Sequence, residues 1–273
     1  MVLTNKQEEG LKIAVERYRS GEKFTCIAGY AGSGKSTLIK FIISALGVDP
    51  DKDVCYVAYT GKAASVLQAK GCNNATTAHQ LLYRAKQKPD GTFMYIKKDL
   101  IDYPVVVVDE VSMLPAPMWN LLMTHHCYIL AMGDPGQLPP IDKDMDNHVL
   151  DNPHVFLDEI MRQAQDSEII RLSMWIREGK PLAGFQCEGK QVQIFAPEQV
   201  VSGMYDWADQ ILCATNDKRN EINRFVRLQK GYGEQPEVGD KIISLHNHWE
   251  DVSAAGRWFL TNGSIGTINE YEL

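Results

Sequence analysis

Gly29-Tyr30-Ala31-Gly32-Ser33-Gly34-Lys35-Ser36 fits the pattern GxxxxGK[ST], and Val105 to Glu110 read VVVVDE. Each stretch supplies half of one site. In the first, glycines let consecutive backbone N–H groups wrap a phosphate, Lys35 reaches the β- and γ-phosphates of a nucleoside triphosphate, and the Ser36 hydroxyl is placed on Mg²⁺. Phe24 to Ala28 (FTCIA) ahead of the loop is short, apolar and β-prone, and Ser36 to Leu46 (STLIKFIISAL) after it reads as a largely buried helix. Strand, loop and helix therefore follow in the required order. The four valines describe a strand buried on both faces of a parallel sheet. Its carboxyl end opens into the crevice where open α/β sheets bind ligands, so Asp109 is placed to hold Mg²⁺ through water and Glu110 to polarise an attacking water.

The chain has 273 residues, enough for more than one hydrophobic core. No apolar run approaches the ~18 residues that span a bilayer. The N-terminus MVLTNKQEEG lacks the charged-then-apolar pattern of a signal peptide, so a soluble, cytoplasmic protein is expected. Six cysteines, Cys26, Cys55, Cys72, Cys127, Cys187 and Cys213, form no CxxC pair, and several lie in apolar runs where reduced cysteine packs as a small hydrophobe. The net charge of −7 argues against a broadly basic nucleic-acid surface, but a local basic or polar groove is compatible with it.

Outward from the two motifs, Gln7 to Tyr18 reads as an amphipathic helix opened by a Thr4-Asn5 cap. Asp53 to Ala58 is a second strand, and Tyr59 to Lys70 turns from it into a helix. Arg84 to Lys98 interrupts the α/β rhythm with two arms around Pro89-Asp90-Gly91, a hairpin insertion. Tyr128 to Met132 is a further strand leading into GDPGQLPP, and Asp158 to Arg177 is expected to be helical. Gly179 to Gly203 reads as a loop-rich connector. A strand Gln210 to Ala214 and a helix from about Asp217 to Leu228 then start a second α/β segment, and the tail from Gly239 has short strands and turns.

The loop Gly133 to Pro140, with YAGSGKST and VVVVDEVSM, resembles superfamily 1 DNA helicases of the RecD and Dda type, and the resemblance extends from Gln7 to about Gly266. It implies an α/β fold: a P-loop RecA-like parallel-sheet domain over 1–155 with the hairpin at about 84–98, a partial second RecA-like domain over 156–235, and the start of a small β, SH3-like subdomain over 236–273. It implies ATP and Mg²⁺ as cofactors, single-stranded DNA or a DNA fork as partner, and 5′ to 3′ movement driven by ATP hydrolysis; the oligomeric state is open, with a monomer favoured. By resemblance Gln7 reads adenine, and Gly32, Ser33, Gly34, Lys35, Ser36 and Thr37 form the nucleotide loop. Ser36 and Asp109 serve the metal; Lys35, Glu110, Gln137 and Arg162 act on the phosphates, Gln137 as the γ-phosphate-coupled glutamine and Arg162 as an arginine supplied across the cleft. Tyr59, Thr60, Lys62, Thr77 and His79, with Thr215 and Asn216 of the second unit, take the places of strand-contacting residues, and Phe93 or Tyr95 that of a strand-separating wedge.

The residues alone leave other readings open. Gln7 also suits an exposed helix start, His79 a structural histidine, Arg162 a surface helix charge, and the two aromatics simple hairpin packing. Family members continue with motifs like TxHxxQG and YVALTR, which do not follow Gly239, so a truncated chain is expected. A GTPase is disfavoured because Thr215-Asn216-Asp217-Lys218 has the wrong order for a guanine-reading motif. A nucleotide-gated binding module without hydrolysis, or another P-loop NTPase, is the alternative.

Overall fold

A computed structural model of the chain describes residues 3–88, 93–138, 140, 142–159, 166–189, 191–233, 235–244, 252–253, 256–257 and 265–270. Six parallel strands form the central sheet in the order β3-β2-β6-β7-β1-β8: β1 (Phe24–Gly29), β2 (Val54–Ala58), β3 (Ala75–Thr77), β6 (Val105–Val108), β7 (Tyr128–Gly133) and β8 (Val155–Leu157). The valine run is buried along its whole length, as a strand covered on both faces requires. Its side chains alternate between two cores. Val106 and Val108 join Leu82, Leu114, Leu122 and Ile129 on one face. Val105 and Val107 join Leu38, Ile39, Ile42, Leu130 and Leu157 on the other.

Helix α1 (Asn5–Arg19) begins at Thr4, whose side chain forms a reciprocal capping box with Gln7. It lies against β8 and α2 (Lys35–Leu46) so closely that a Cβ on Gly10 would meet Val155 Cγ1 at 2.7 Å. Buried Tyr128 ties α1 to the sheet, its hydroxyl donating to Ala14 O at 2.9 Å. Helix α3 (Gly61–Ala69) follows β2, and the short α4 (Ala78–Leu82) follows β3 directly. Strands β4 (Tyr83–Gln87) and β5 (Phe93–Lys97) pair antiparallel as a two-stranded hairpin outside the main sheet, which is the insertion expected from the sequence. Its turn, Pro89-Asp90-Gly91, lies outside the described residues.

Two expectations are corrected. Asp158 to Arg177 is not one helix: Asp158 and Glu159 are irregular, 160–165 lie outside the described residues, and the helix, here α5, runs over Glu168–Arg177 after Ser167. The edge strand β8, which the sequence did not suggest, pairs with β1, Ile27 opposite Val155. Gln210 to Ala214 forms no strand. A strand exists through ladder partners, and this segment has none among the described residues, leaving Leu212 90% exposed. Helix Asn216–Gln229 follows it, capped by Thr215. In the tail, Lys241–Ile243 pairs antiparallel with Ile265–Thr267, and Val252–Ser253 with Gly256–Arg257. Among the described residues, no helix is long and apolar enough to cross a membrane.

Candidate functional site

The strand order places the carboxyl ends of β6, β7, β1 and β8 side by side, and the loops leaving three of them carry the nucleotide motifs. After β1 the loop turns through Gly32 and Gly34 at φ of 78° and 82°, values that L-residues other than glycine adopt at a cost. Gly34 caps α2 without a side chain, so the helix's first N–H groups face the loop, an arrangement suited to an anion. Gly29 is required for space as well: a Cβ there would sit 2.8 Å from Leu157 O and 2.7 Å from Ser33 Oγ. That Ser33 hydroxyl is buried and lacks a hydrogen-bond partner among the described residues. An orphaned polar atom inside a glycine-rich loop is the kind of group a bound ligand or water satisfies. With the left-handed glycines it makes the loop a fit for phosphate.

Lys35 Nζ donates to Gly29 O at 2.7 Å and Tyr30 O at 3.1 Å. Burial lowers its pKa below the ordinary lysine value; Asp134 and Asp109 oppose that, Arg177 adds to it, and Glu110 opposes it. Lys35 thus shares one electrostatic neighbourhood with the end of β6 and the loop after β7. At the end of β6, Asp109 N–H continues the ladder to Val57 O at 2.8 Å, and Asp109 Oδ1 accepts the Glu110 N–H at 3.1 Å. Burial raises the Asp109 carboxyl; burial first, then the Asp109 charge, raises that of Glu110. Glu110 has φ 51° and ψ 51°, a left-handed conformation unusual for a non-glycine residue. Ser36 and Thr37 occupy the first turn of α2. Mg²⁺ characteristically takes one or two protein oxygens and completes its shell with water and phosphate. Ser36 and Asp109 have the chemistry for that role.

Gln7 is 1% exposed, which excludes the exposed-helix-start reading. Its Oε1 accepts the Thr4 N–H at 3.0 Å, and its Nε2 donates to Ser33 O at 3.2 Å, joining α1 to the phosphate loop. Gln137 is exposed on the turn after β7, its N–H bonded to Asp134 O at 3.0 Å. Arg162 lies outside the described residues.

A residue that the sequence reading passed over enters here. Arg177, in the last turn of α5, donates from Nη1 and Nη2 to the two carboxylate oxygens of Asp134, each at 2.6 Å. Asp134 is 1% exposed, and the guanidinium also covers the Tyr30 ring at 5.0 Å. The available signal was an acid of GDPGQLPP sited to be buried, which calls for a cation.

Tyr59, Thr60, Lys62, Thr77 and His79 gather elsewhere on the same edge. Ala58 at the end of β2 pairs with Thr77 at the end of β3. Thr60 and Thr77 cap α3 and α4 by accepting the N–H of Ala63 and Gln80. Lys62 is exposed beside them, and the rings of Tyr59, His79 and Tyr83 follow one another at 6.3 and 6.1 Å. Thr215 is likewise a cap, and Asn216 opens the helix behind it. Tyr95 is 58% exposed opposite Ala85 on the hairpin; the side chain of Phe93 lies outside the described residues.

A family model described as an AAA domain matches residues 3–199. The ATP-dependent DNA helicase dda of Enterobacteria phage T4 is 24% identical over 250 residues, covering 82% of this chain and 56% of that protein. The chain therefore spans little more than half the length of this curated relative. A solved structure described as the structural basis for DNA unwinding at forked double-stranded DNA by two coordinating Pif1 helicases is similar with a TM-score of 0.53 at 20% identity. It covers 100% of this chain and 72% of that one, a likeness of fold that agrees with the six-stranded parallel sheet. The resemblance drawn from the motifs is borne out by these matches.

Proposed function

The chain belongs to the AAA domain family, and from that premise we propose that it is the nucleotide-binding portion of an ATP-dependent DNA helicase or translocase. The observation that carries this reading is the meeting, at one sheet edge, of the glycine loop with Lys35, the Asp109–Glu110 pair and the turn bearing Gln137. Gln7, Gly32, Ser33, Gly34, Lys35, Ser36 and Thr37 hold ATP, with Gln7 on the adenine. Ser36 and Asp109 hold Mg²⁺, which supplies charge neutralisation to the phosphates. Glu110, with its raised carboxyl, accepts the proton of the attacking water. Gln137 senses the γ-phosphate, and Arg162 supplies positive charge to it.

Single-stranded DNA, or one arm of a fork, crosses the helix N-termini at Thr60 and Thr77, with Tyr59, Lys62 and His79 beside them. Backbone N–H groups and hydroxyls there suit phosphate contacts that position a strand without reading its sequence. Thr215 and Asn216 form the second contact, and Tyr95 with Phe93 the wedge. The exposed hairpin ring is compatible with that role. Movement is 5′ to 3′, in a cytoplasmic monomer. The ATP-binding unit spans 1–155, a partial second unit 156–235, and a small β element begins at 236.

The test is ATP hydrolysis by the wild type and Glu110→Gln, with and without single-stranded oligonucleotide. The expectation is DNA-stimulated turnover in the wild type and a loss of about a hundredfold or more in the variant, within the range for removal of a general base, with ATP binding retained. Wild-type protein that binds ATP but never hydrolyses it, at any DNA concentration, identifies a nucleotide-gated module instead.

A further inference from the structure

Arg177 reaches the nucleotide site from a helix outside the motifs. It engages two loops at once. Through its fork it grips both oxygens of Asp134, and Asp134 Oδ1 in turn accepts the Gly136 N–H at 2.9 Å. Through its face it lies on Tyr30 of the phosphate loop, at 5.0 Å from the ring centroid. Tyr30 O is one of the two acceptors of Lys35 Nζ, and the Tyr30 ring meets Phe156 edge-on at 5.4 Å. The seat is built for this side chain: a Cβ on Gly136 would stand 1.9 Å from Arg177 Nη1 and 2.8 Å from Cζ. The pair is sheltered, with side chains 18% and 1% exposed.

We propose that Arg177 is a positioning residue, which holds the Asp134–Gln137 turn against the phosphate loop and so sets the place of Gln137 relative to Lys35. The inference rests on the reading of this site as an ATPase. A bidentate guanidinium fixes both the direction and the rotation of the carboxylate it binds, whereas an ammonium supplies a point charge and fixes neither. Since Asp134 organises the turn through Gly136, fixing Asp134 fixes the turn. Arg177 itself is committed to Asp134 and Tyr30, so its contribution appears in the chemical step and not in ATP affinity.

The test uses the full chain with Arg177→Ala, Arg177→Lys, Asp134→Ala and the Arg177→Ala/Asp134→Ala double variant. Two measurements are made, steady-state ATP hydrolysis and amide hydrogen exchange. In Arg177→Ala, kcat is expected to fall tenfold or more while KM for ATP stays within threefold. Arg177→Lys is expected to recover less than a third of the lost rate, and the double variant to be no slower than the worse single one. Exchange at the Gly136 and Gln137 amides is expected to rise at least tenfold, with the Val105–Val108 amides unchanged. That contrast separates local loosening from general unfolding, and Arg177→Lys, which keeps charge and bulk, supplies the same contrast if the alanine variant does not fold.

Unchanged exchange at Gly136 and Gln137 overturns the proposal. So does a KM effect larger than the kcat effect, which would make Arg177 an ATP-binding residue, or a full rescue by lysine. Exchange reads the clamp whether or not ATP turns over. Faster exchange in the variants of a wild type that hydrolyses nothing would therefore support the clamp and defeat the ATPase reading instead.

Discussion

Gln7→Ala is expected to loosen both the fold and the nucleotide loop. Truncation removes the acceptor of the Thr4 N–H and the donor to Ser33 O, two hydrogen bonds made by a side chain that is 1% exposed. A typical hydrogen bond contributes about 1 kcal/mol net, and a buried carbonyl left without its partner costs about 1–3 kcal/mol. Part of the capping box goes too, although Thr4 Oγ1 still accepts the residue-7 N–H. The sum is about 2–4 kcal/mol, or roughly 4–16 °C in Tm for a cooperative unit of this size. Differential scanning calorimetry with and without ATP is the assay. A Tm within about 2 °C of wild type would refute the energetic reasoning. The nucleotide arm separates two roles. An adenine-reading Gln7 predicts that ATP affinity falls more than GTP affinity, and a Gln7 that only props Ser33 predicts equal losses.

Two further outcomes follow from burial. Cys26 and Cys55 are buried thiols pushed up to about 12, and burial also raises Cys127, whereas Cys187 is exposed and Cys72 and Cys213 are half-buried. Iodoacetamide at about pH 8 should therefore modify Cys187 first, then Cys72 and Cys213, in the native protein; mass-spectrometric detection of early labelling at Cys26 or Cys55 contradicts this packing. The raised Glu110 carboxyl means that the folded state holds this proton more tightly than the unfolded chain. Its contribution to stability is thus lost as pH rises from the ordinary carboxylate value through the raised one. Glu110→Gln should melt above wild type at neutral pH, and the gap should close below about pH 4; a variant that melts lower than wild type at neutral pH removes the basis for the shift.

The glycine loop and the valine strand were legible because each position has a local reason. Periodicity gives Val105–Val108 its two covered faces, and Gly29, Gly32 and Gly34 stand where space or φ excludes a side chain. Legibility ended where long-range pairing decides. Val155–Leu157 is three residues long and is a strand only because β1 offers it an edge. Gln210 to Ala214 has the strand composition but no such edge among the described residues. Arg177 reads in sequence as an ordinary basic residue in a last helical turn, well matched to the helix dipole. Its partner lies 43 positions earlier, a pairing that no local pattern encodes. Gln7 was singled out by resemblance, while its burial follows from the docking of α1 over the phosphate loop.

The site is also where local rules are broken together. Glu110 sits in a left-handed conformation that costs an L-residue about 1–2 kcal/mol. Asp109 and Lys35 are both held where burial disfavours their charged forms. Ser33 Oγ is buried without a partner among the described residues. None of these is a feature that stabilises a resting fold, and each is tolerated because the strand or helix carrying it is fixed by the two cores: Val108 directly before Asp109 is 1% exposed, and Leu38, one turn into the helix that Lys35 opens, is fully buried. Strain and desolvation concentrated on a rigid sheet edge are what a site requires when its groups must be positioned before a charged ligand arrives. Under this reading the triphosphate adds negative charge opposite Lys35 and partners for the loop. The cost of assembling the site is then carried by the folded core ahead of binding, and ATP affinity need not be spent on it.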